Sequence, residues 1–453
     1  MRNVETIVAL ATAPVESAIA LIRMSGPLCP EIAESAFKRR SPTPARKACV
    51  GIYNGLDEVH IDECVYTLFG GTSSYTGEPV LEISCHGNPL IVQRILEDCL
   101  LRGCRGAEPG EFTRRAFLNG RLDLTQAEAV ADTIRARSDK ALSVAQRQLA
   151  GDLGRRIASW TDEVLQVLAE LEAYIDFPEE DLPVADASAP PARLRNLAEA
   201  FLRVADTARY AAVLRDGVRT VIAGAPNAGK SSLLNALLGE ERALVSDEPG
   251  TTRDFIRERL EVGPYCIQIV DTAGLRNLVS SDIERQGIRR THDQVAEADF
   301  CLLVVDVSTP PPDLPAELLA KISPKRSLLV LNKADLPMNA ETKQIFPDLP
   351  RILVSSKTCA GIVEFKQQLV EILERDDIVP GEESLIVGTR HAEVLQRAAS
   401  HLQKSAEALV AGVATELAVS DVRLALAALG EVVGRIDNEQ MLDKLFATFC
   451  IGK

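Results

Sequence analysis

The stretch GAPNAGKSS at residues 224–232 follows the apolar run VRTVIA and precedes the helical pattern SLLNALLGE. Gly224, Gly229, Lys230 and Ser231 meet the G-x-x-x-x-G-K-[ST] spacing of a phosphate-binding loop. Its glycines let backbone amides curl round phosphate oxygens, and the helix N-terminus that follows adds partial positive charge. Asn227, Ala228, Gly229, Lys230, Ser231 and Ser232 line that cradle; Lys230 reaches the terminal phosphates and Ser231 supplies a Mg2+ ligand. Three further signals follow in order. DTAG, residues Asp271, Thr272, Ala273 and Gly274, closes an apolar run, with its Asp placed to hold Mg2+ through water and its Gly free to turn toward a γ-phosphate. NKAD supplies Asn332, Lys333 and Asp335, and SSK supplies Ser355, Ser356 and Lys357 as the remaining base-contact loop. The Asp335 carboxylate can accept both N1–H and the exocyclic amino group of guanine, whereas adenine has no donor in that arrangement, so the expected nucleotide is GTP. Between the phosphate loop and DTAG lies VSDEPGTTRD, which contains Ser246, Asp247, Glu248, Pro249, Gly250, Thr251 and Thr252. Thr252 is expected to complete the Mg2+ shell with GTP and to let go after hydrolysis, which makes this segment a switch.

One expected residue is missing. Ras-like proteins carry a Gln after this motif to orient the attacking water, but here the position is Leu275. Asp282 and Glu284 in SSDIERQGI are the nearby acidic candidates, or else solvated charges at a helix start. The amide oxygen of Asn227 could hold a monovalent cation beside the phosphates, supplying charge where other enzymes use an arginine finger.

These groups need a frame. Residues 216–378 alternate apolar runs (CIQIVDTAG, DFCLLVVDVS, RSLLVLNKAD, RILVSSKT) with helical segments, the texture of a mostly parallel sheet. Residues 1–119 mix short β-type runs with helical patterns and read as an α/β or α+β domain. In residues 120–215 apolar residues recur three and four apart with no proline before Pro178, which predicts long amphipathic helices, and residues 379–453 return to the helical pattern. The P-loop domain is therefore expected to be inserted into one helical domain, the alternative being two independent helical domains. The resulting class is multidomain α/β. Net charge of −15 argues against broad non-specific nucleic-acid binding but leaves room for a local basic patch. Ten dispersed cysteines without a C-x-x-C pair read as reduced thiols. Glu5 and Glu16 interrupt the apolar N-terminal stretch, so no secretory signal or membrane segment is expected and the chain reads as cytoplasmic. The end FATFCIGK places Cys450 where a prenylation box would, but Lys453 is a poor final residue for one.

GAPNAGKSSLLNALLG, SDEPGTTRD, DTAGLR, IERQGI, PGEFTRRAFLNGRLDLTQAEAVADTI and the terminal FCIGK together resemble the tRNA-modification GTPases called MnmE or TrmE, over the whole chain. That resemblance implies an N-terminal domain similar to folate-binding proteins that dimerises and holds a 5-formyl or 5,10-methylene tetrahydrofolate. On this sequence the folate contacts fall on Arg23, Glu82, Arg121 and Lys453, with Arg121 standing where the family often has Lys. The resemblance further implies a FAD-containing partner, MnmG (GidA), in a heterotetramer, and modification of C5 of the tRNA wobble uridine, U34, with a carboxymethylaminomethyl or aminomethyl group. It assigns K+ to Asn227, Ser246, Glu248 and Thr251, pairing of two G domains to the hydrolysis step, water activation to Glu284, and switch stabilisation to Arg276. For Cys450 it offers a thiol near the folate and the target base, able to act as a nucleophile. The competing class is a GTP-dependent RNA-binding or ribosome-assembly regulator, which should carry a KH-like or strongly basic appendage; none stands out in this acidic chain.

Overall fold

Alternating burial along the strands near the N-terminus builds a first sheet. In the computed structural model of this chain, residues 5–176, 189–239, 258–270, 298–314, 319, 322–380, 385–434 and 439–452 are described. Strands β1 (Ile7–Leu10), β2 (Ser17–Ser25), β3 (Cys49–Asn54), β4 (His60–Phe69), β5 (Val80–Gly87) and β6 (Arg105–Gly106) pair in the order β3-β4-β5-β2-β1-β6. All neighbours are antiparallel except β1 and β6. Along β4 the residues Asp62, Cys64, Tyr66 and Leu68 face inward while Glu63 and Val65 face solvent, the period of two that a half-buried strand requires. The inward face, with Ile22, Met24, Tyr53, Leu81 and Ile83, buries against helices Cys29–Ser35 and Pro89–Leu101. The second of these begins cleanly: Asn88 accepts from the Leu90 amide at 2.8 Å and Pro89 takes the first helical position.

The chain divides into two compact units, Met1–Ala131 with Gln148–Leu165 and Leu426–Lys453, and Asp132–Arg147 with Gln166–Ala425. In the first, helices Glu111–Leu118 and Leu124–Arg135 meet helix Glu439–Phe446, and Leu124, Ala127, Leu442, Phe446 and Phe449 form one cluster. The expected long helical run is broken twice, giving Leu124–Arg135, Asp139–Leu149 and Asp152–Asp176. Ser138 accepts from the Ala141 amide at 3.2 Å and so caps a new helix, and Gly151 takes φ +85°, which ends another.

The second unit carries a six-stranded sheet of β7 (Val218–Ala223), β8 (Glu258–Val262), β9 (Tyr265–Val270), β10 (Phe300–Asp306), β11 (Ser327–Asn332) and β12 (Arg351–Leu353). The order is β12-β11-β10-β7-β9-β8, parallel throughout except for the β8–β9 hairpin. Every residue of β11 is buried, as in a parallel sheet covered on both faces. On one face Ile222, Leu302, Val304 and Val330 pack with helices Lys230–Gly239 and Ile362–Arg375; on the other lie Val221, Leu303, Val305 and Leu329. Helices Ala189–Asp206 and Thr389–Val410 pack against each other, and each buries an apolar face, with Leu197 and Phe201 on the first and Leu395 and Leu402 on the second. The segments that flank the sheet also meet: the Thr207 hydroxyl donates to Leu385 O at 3.0 Å and accepts from the Val387 amide at 3.2 Å. The architecture is thus the expected one, an N-terminal domain, a helical domain and a G domain built on a mostly parallel sheet. Among the described residues no helix is long and apolar enough to cross a membrane.

Candidate functional site

Among the described residues the carboxyl ends of β7, β11 and β12 carry the nucleotide motifs, as open α/β sheets place ligand sites. At the end of β7, Gly224 adopts φ +148°, and a Cβ there would lie 2.2 Å from Val304 O on β10. Asn227 sits exposed at φ +62°, and Gly229 takes φ +93°. Helix Lys230–Gly239 starts immediately, with Leu233 N donating to Gly229 O at 2.8 Å. Lys230 Nζ donates to Gly224 O and Ala225 O, both at 2.8 Å, and burial lowers its pKa. Ser231 is half-buried in the first turn and Ser232 is exposed, beside the buried Ala228.

The base-side motifs are tied to this loop by one side chain. Asn332, 1% exposed, donates from Nδ2 to Ala228 O at 2.9 Å, while its Oδ1 accepts from Ser356 N at 3.1 Å and Ser356 Oγ at 2.8 Å. A Cβ on Gly229 would fall 2.1 Å from the same Nδ2, so the second glycine of the loop is also a packing requirement of the strut. Asp335 is exposed and its Oδ1 accepts from Ser355 Oγ at 2.6 Å; that hydroxyl and a backbone amide hold its carboxyl below the usual range. Ser355 is itself fixed by Thr358 N at 3.2 Å, and Lys357 is exposed. Lys333, at φ +63°, donates to Asp306 Oδ2 at 2.6 Å.

Asp306 is a residue that the motif reading missed. It stands opposite Asn332 in the parallel register of β10 and β11, and it also accepts from Ser308 N at 2.9 Å and Ser308 Oγ at 2.7 Å. Burial pushes its carboxyl up, but Lys333 and Ser308 outweigh that and the net shift is downward. The signal was the Asp closing LLVVD, level with the Asn closing LLVLN.

A second constellation forms in the first unit. Arg23 on β2 lies directly opposite Glu82 on β5, and its Nε donates to Glu82 Oε1 at 2.8 Å. Its Nη1 donates to Gly452 O at 3.3 Å, so the C-terminal tail reaches a strand 429 residues away in sequence. The rings of Tyr75 and Phe112 lie 5.9 and 6.0 Å from the guanidinium carbon. Gly110 N donates to Cys450 O at 3.4 Å, leaving the Cys450 thiol exposed. Arg121 is exposed, with its stem 3.3 Å from the position of a Cβ on Gly77 and its amide donating to Ala116 O. No described contact joins it to Arg23 or Glu82. Ser246, Asp247, Glu248, Pro249, Gly250, Thr251, Thr252, Asp271, Thr272, Ala273, Gly274, Arg276, Asp282, Glu284 and Lys453 lie outside the described residues.

The chain matches two family profiles, "MnmE helical domain" over residues 124–450 and "GTP-binding protein TrmE N-terminus" over residues 6–121. It is 48% identical to the tRNA modification GTPase MnmE of Opitutus terrae, covering 99% of each chain. The proteins of that name from Akkermansia muciniphila and Geobacter sulfurreducens are 43% and 41% identical, again over 99% of each chain. With phosphate loop, base-side motifs and both flanking domains matched end to end, the chain belongs to the MnmE family of tRNA modification GTPases.

Proposed function

We propose that this chain hydrolyses GTP to drive modification of C5 of the tRNA wobble uridine, U34, adding a carboxymethylaminomethyl or aminomethyl group together with the FAD-containing partner MnmG in a heterotetramer. Its working division is residues 1–119 for folate binding and dimerisation, 120–215 and 379–453 for the helical domain, and 216–378 for the G domain. The observation that carries the reading is the Asn332 strut, which sets the phosphate loop and the exposed Asp335 carboxylate in one frame.

The loop amides and Lys230 bind the phosphates, and Asp335 selects guanine by accepting two N–H groups. Glu284 orients the attacking water and Arg276 steadies the switch. The half-buried Ser231 hydroxyl in the first helical turn fits a hard cation, and with Thr252 it would hold Mg2+, which neutralises phosphate charge when bound. The exposed Asn227 amide fits a monovalent ion; with Ser246, Glu248 and Thr251 it would hold K+, adding positive charge beside the γ-phosphate as two G domains pair.

In the first unit a guanidinium held between a carboxylate and a tail carbonyl, with two aromatic rings near it, suits an anionic heterocycle. Arg23, Glu82, Arg121 and Lys453 would therefore hold the tetrahydrofolate, which supplies the one-carbon unit. The exposed Cys450 thiol is the candidate nucleophile toward the base. The reaction belongs in the cytoplasm, where its tRNA substrate is found.

GTP hydrolysis measured in K+ against Na+, with Glu284→Ala alongside, tests the first half: faster turnover in K+ and a crippled variant are expected, and equal rates in both salts would remove the mechanism. For the second half, normal wobble uridines in the tRNA of a deletion strain would overturn it.

A further inference from the structure

The acidic chain carries a basic, acid-free stretch in its N-terminal domain. Between residues 35 and 56 there are five basic residues, Lys38, Arg39, Arg40, Arg46 and Lys47, and no Asp or Glu. They sit on the loop between helix Cys29–Ser35 and the edge strand β3, and all but the half-buried Arg39 are exposed. We infer that this loop is a contact surface for the phosphate backbone of RNA, resting on the reading that the substrate is a tRNA.

The loop is positioned rather than trailing. Phe37 at its base stacks on buried Tyr66 with ring centroids 3.6 Å apart, and Arg46 N donates to Leu68 O at 2.8 Å, pinning the far end to β4. Two guanidiniums are held by neutral acceptors. Arg39 donates to Tyr66 OH and to Ser41 O, both at 3.2 Å, and Arg46 donates to Ser73 O at 2.8 Å. Such partners orient a guanidinium without cancelling its charge, which stays available to an anion. Only Lys38 has a carboxylate, the exposed Glu58; Arg40 and Lys47 have none among the described residues.

Lys38 and Arg46 also adopt φ +46° and +59°, a region where glycine is the low-cost residue. Basic side chains occupy both positions in spite of that backbone cost. A protein-docking loop would be expected to offer an aromatic or aliphatic anchor. Within the loop the exposed residues between the charges are Ser41, Pro42, Pro44 and Ala45, which supply rigidity and little apolar grip, while the exposed Val50, Ile52 and Val65 lie on the adjoining strands β3 and β4.

The test is equilibrium binding of an unmodified tRNA transcript to the full-length protein across a KCl series. The wild type is compared with Arg40→Gln/Lys47→Gln and with the charge-keeping Arg40→Lys/Lys47→Arg. Both sites are exposed, so unchanged melting temperatures are expected. The neutralised pair should bind at least tenfold more weakly at low salt, and the slope of log K against log salt should flatten by roughly 1.5 units, as two lost phosphate contacts predict. The charge-keeping pair should match the wild type. Unchanged affinity and slope in the neutralised pair would overturn the assignment, while leaving wobble-uridine modification to be judged by nucleoside analysis. Unchanged tRNA binding with lost self-association or lost protein-partner binding would overturn it in favour of a protein contact.

Discussion

Asn332→Asp keeps the shape of the strut and reverses one of its hydrogen bonds. The wild-type amide donates to Ala228 O at 2.9 Å from a site 1% exposed, and its oxygen accepts twice from Ser356. The substitution leaves the Ser356 side intact but sets a carboxylate oxygen against the Ala228 and Gly229 carbonyls. Losing a buried hydrogen bond costs about 1 kcal/mol, and an acceptor left facing acceptors without water adds ~2 kcal/mol. Because the strut fixes both the phosphate loop and the Ser355–Lys357 loop, that cost of about 3 kcal/mol should fall on nucleotide affinity, about a hundredfold. Asn332→Ala, which lacks the repulsion, should lose roughly tenfold to thirtyfold. The assay is titration of the full chain with a fluorescent GDP analogue at pH 7.5 and pH 5.5. Burial and the facing carbonyls raise the pKa of the introduced carboxyl above the ordinary value. Its penalty is therefore complete at high pH and relieved as pH falls through that raised pKa, since the protonated form can donate to Ala228 O. An affinity within threefold of wild type at pH 7.5, or a defect that deepens on acidification, would refute the strut.

Two further outcomes rest on backbone and ion-pair geometry. Gly452 takes φ +94°, and a Cβ would lie 2.6 Å from Leu10 O and 2.9 Å from Ala11 Cα, so Gly452→Ala should lift the tail from Arg23. Carboxypeptidase release of the C-terminal residues should then accelerate at least tenfold and 5-formyl-tetrahydrofolate affinity should drop, while an unchanged digestion rate would count against a docked tail. Asp306→Asn should destabilise the chain at pH 7 by about 1 kcal/mol through its lost ion pair with Lys333. The Asp306 carboxyl is held below its ordinary range, so its contribution is present above that range and disappears as pH falls through the depressed value. The gap between the wild-type and variant melting temperatures should accordingly close on acidification, and a gap that widens would be inconsistent.

Much of this was local and so was written in residue order. The phosphate loop is recognisable from its own glycines, its lysine and the helix that starts at once, and β10 and β11 announce a covered parallel sheet by being apolar at every interior position. The breaks at Ser138 and Gly151 were less visible, because helical periodicity runs through them and only cap chemistry marks the ends. Asp306 could not be valued alone, since its importance comes from register with Asn332 and from the lysine beside that residue.

The amino-acid sequence by itself determined which nucleotide chemistry is possible, because spacing within a loop and the donor–acceptor pattern of Asp335 are properties of a few neighbouring residues. Folding across the chain decided what couples those pieces: one asparagine amide between two loops, and a tail carbonyl delivered to Arg23 from 429 residues away. Contacts of that kind depend on loop closure and packing summed over many elements, and no short stretch of residues encodes them.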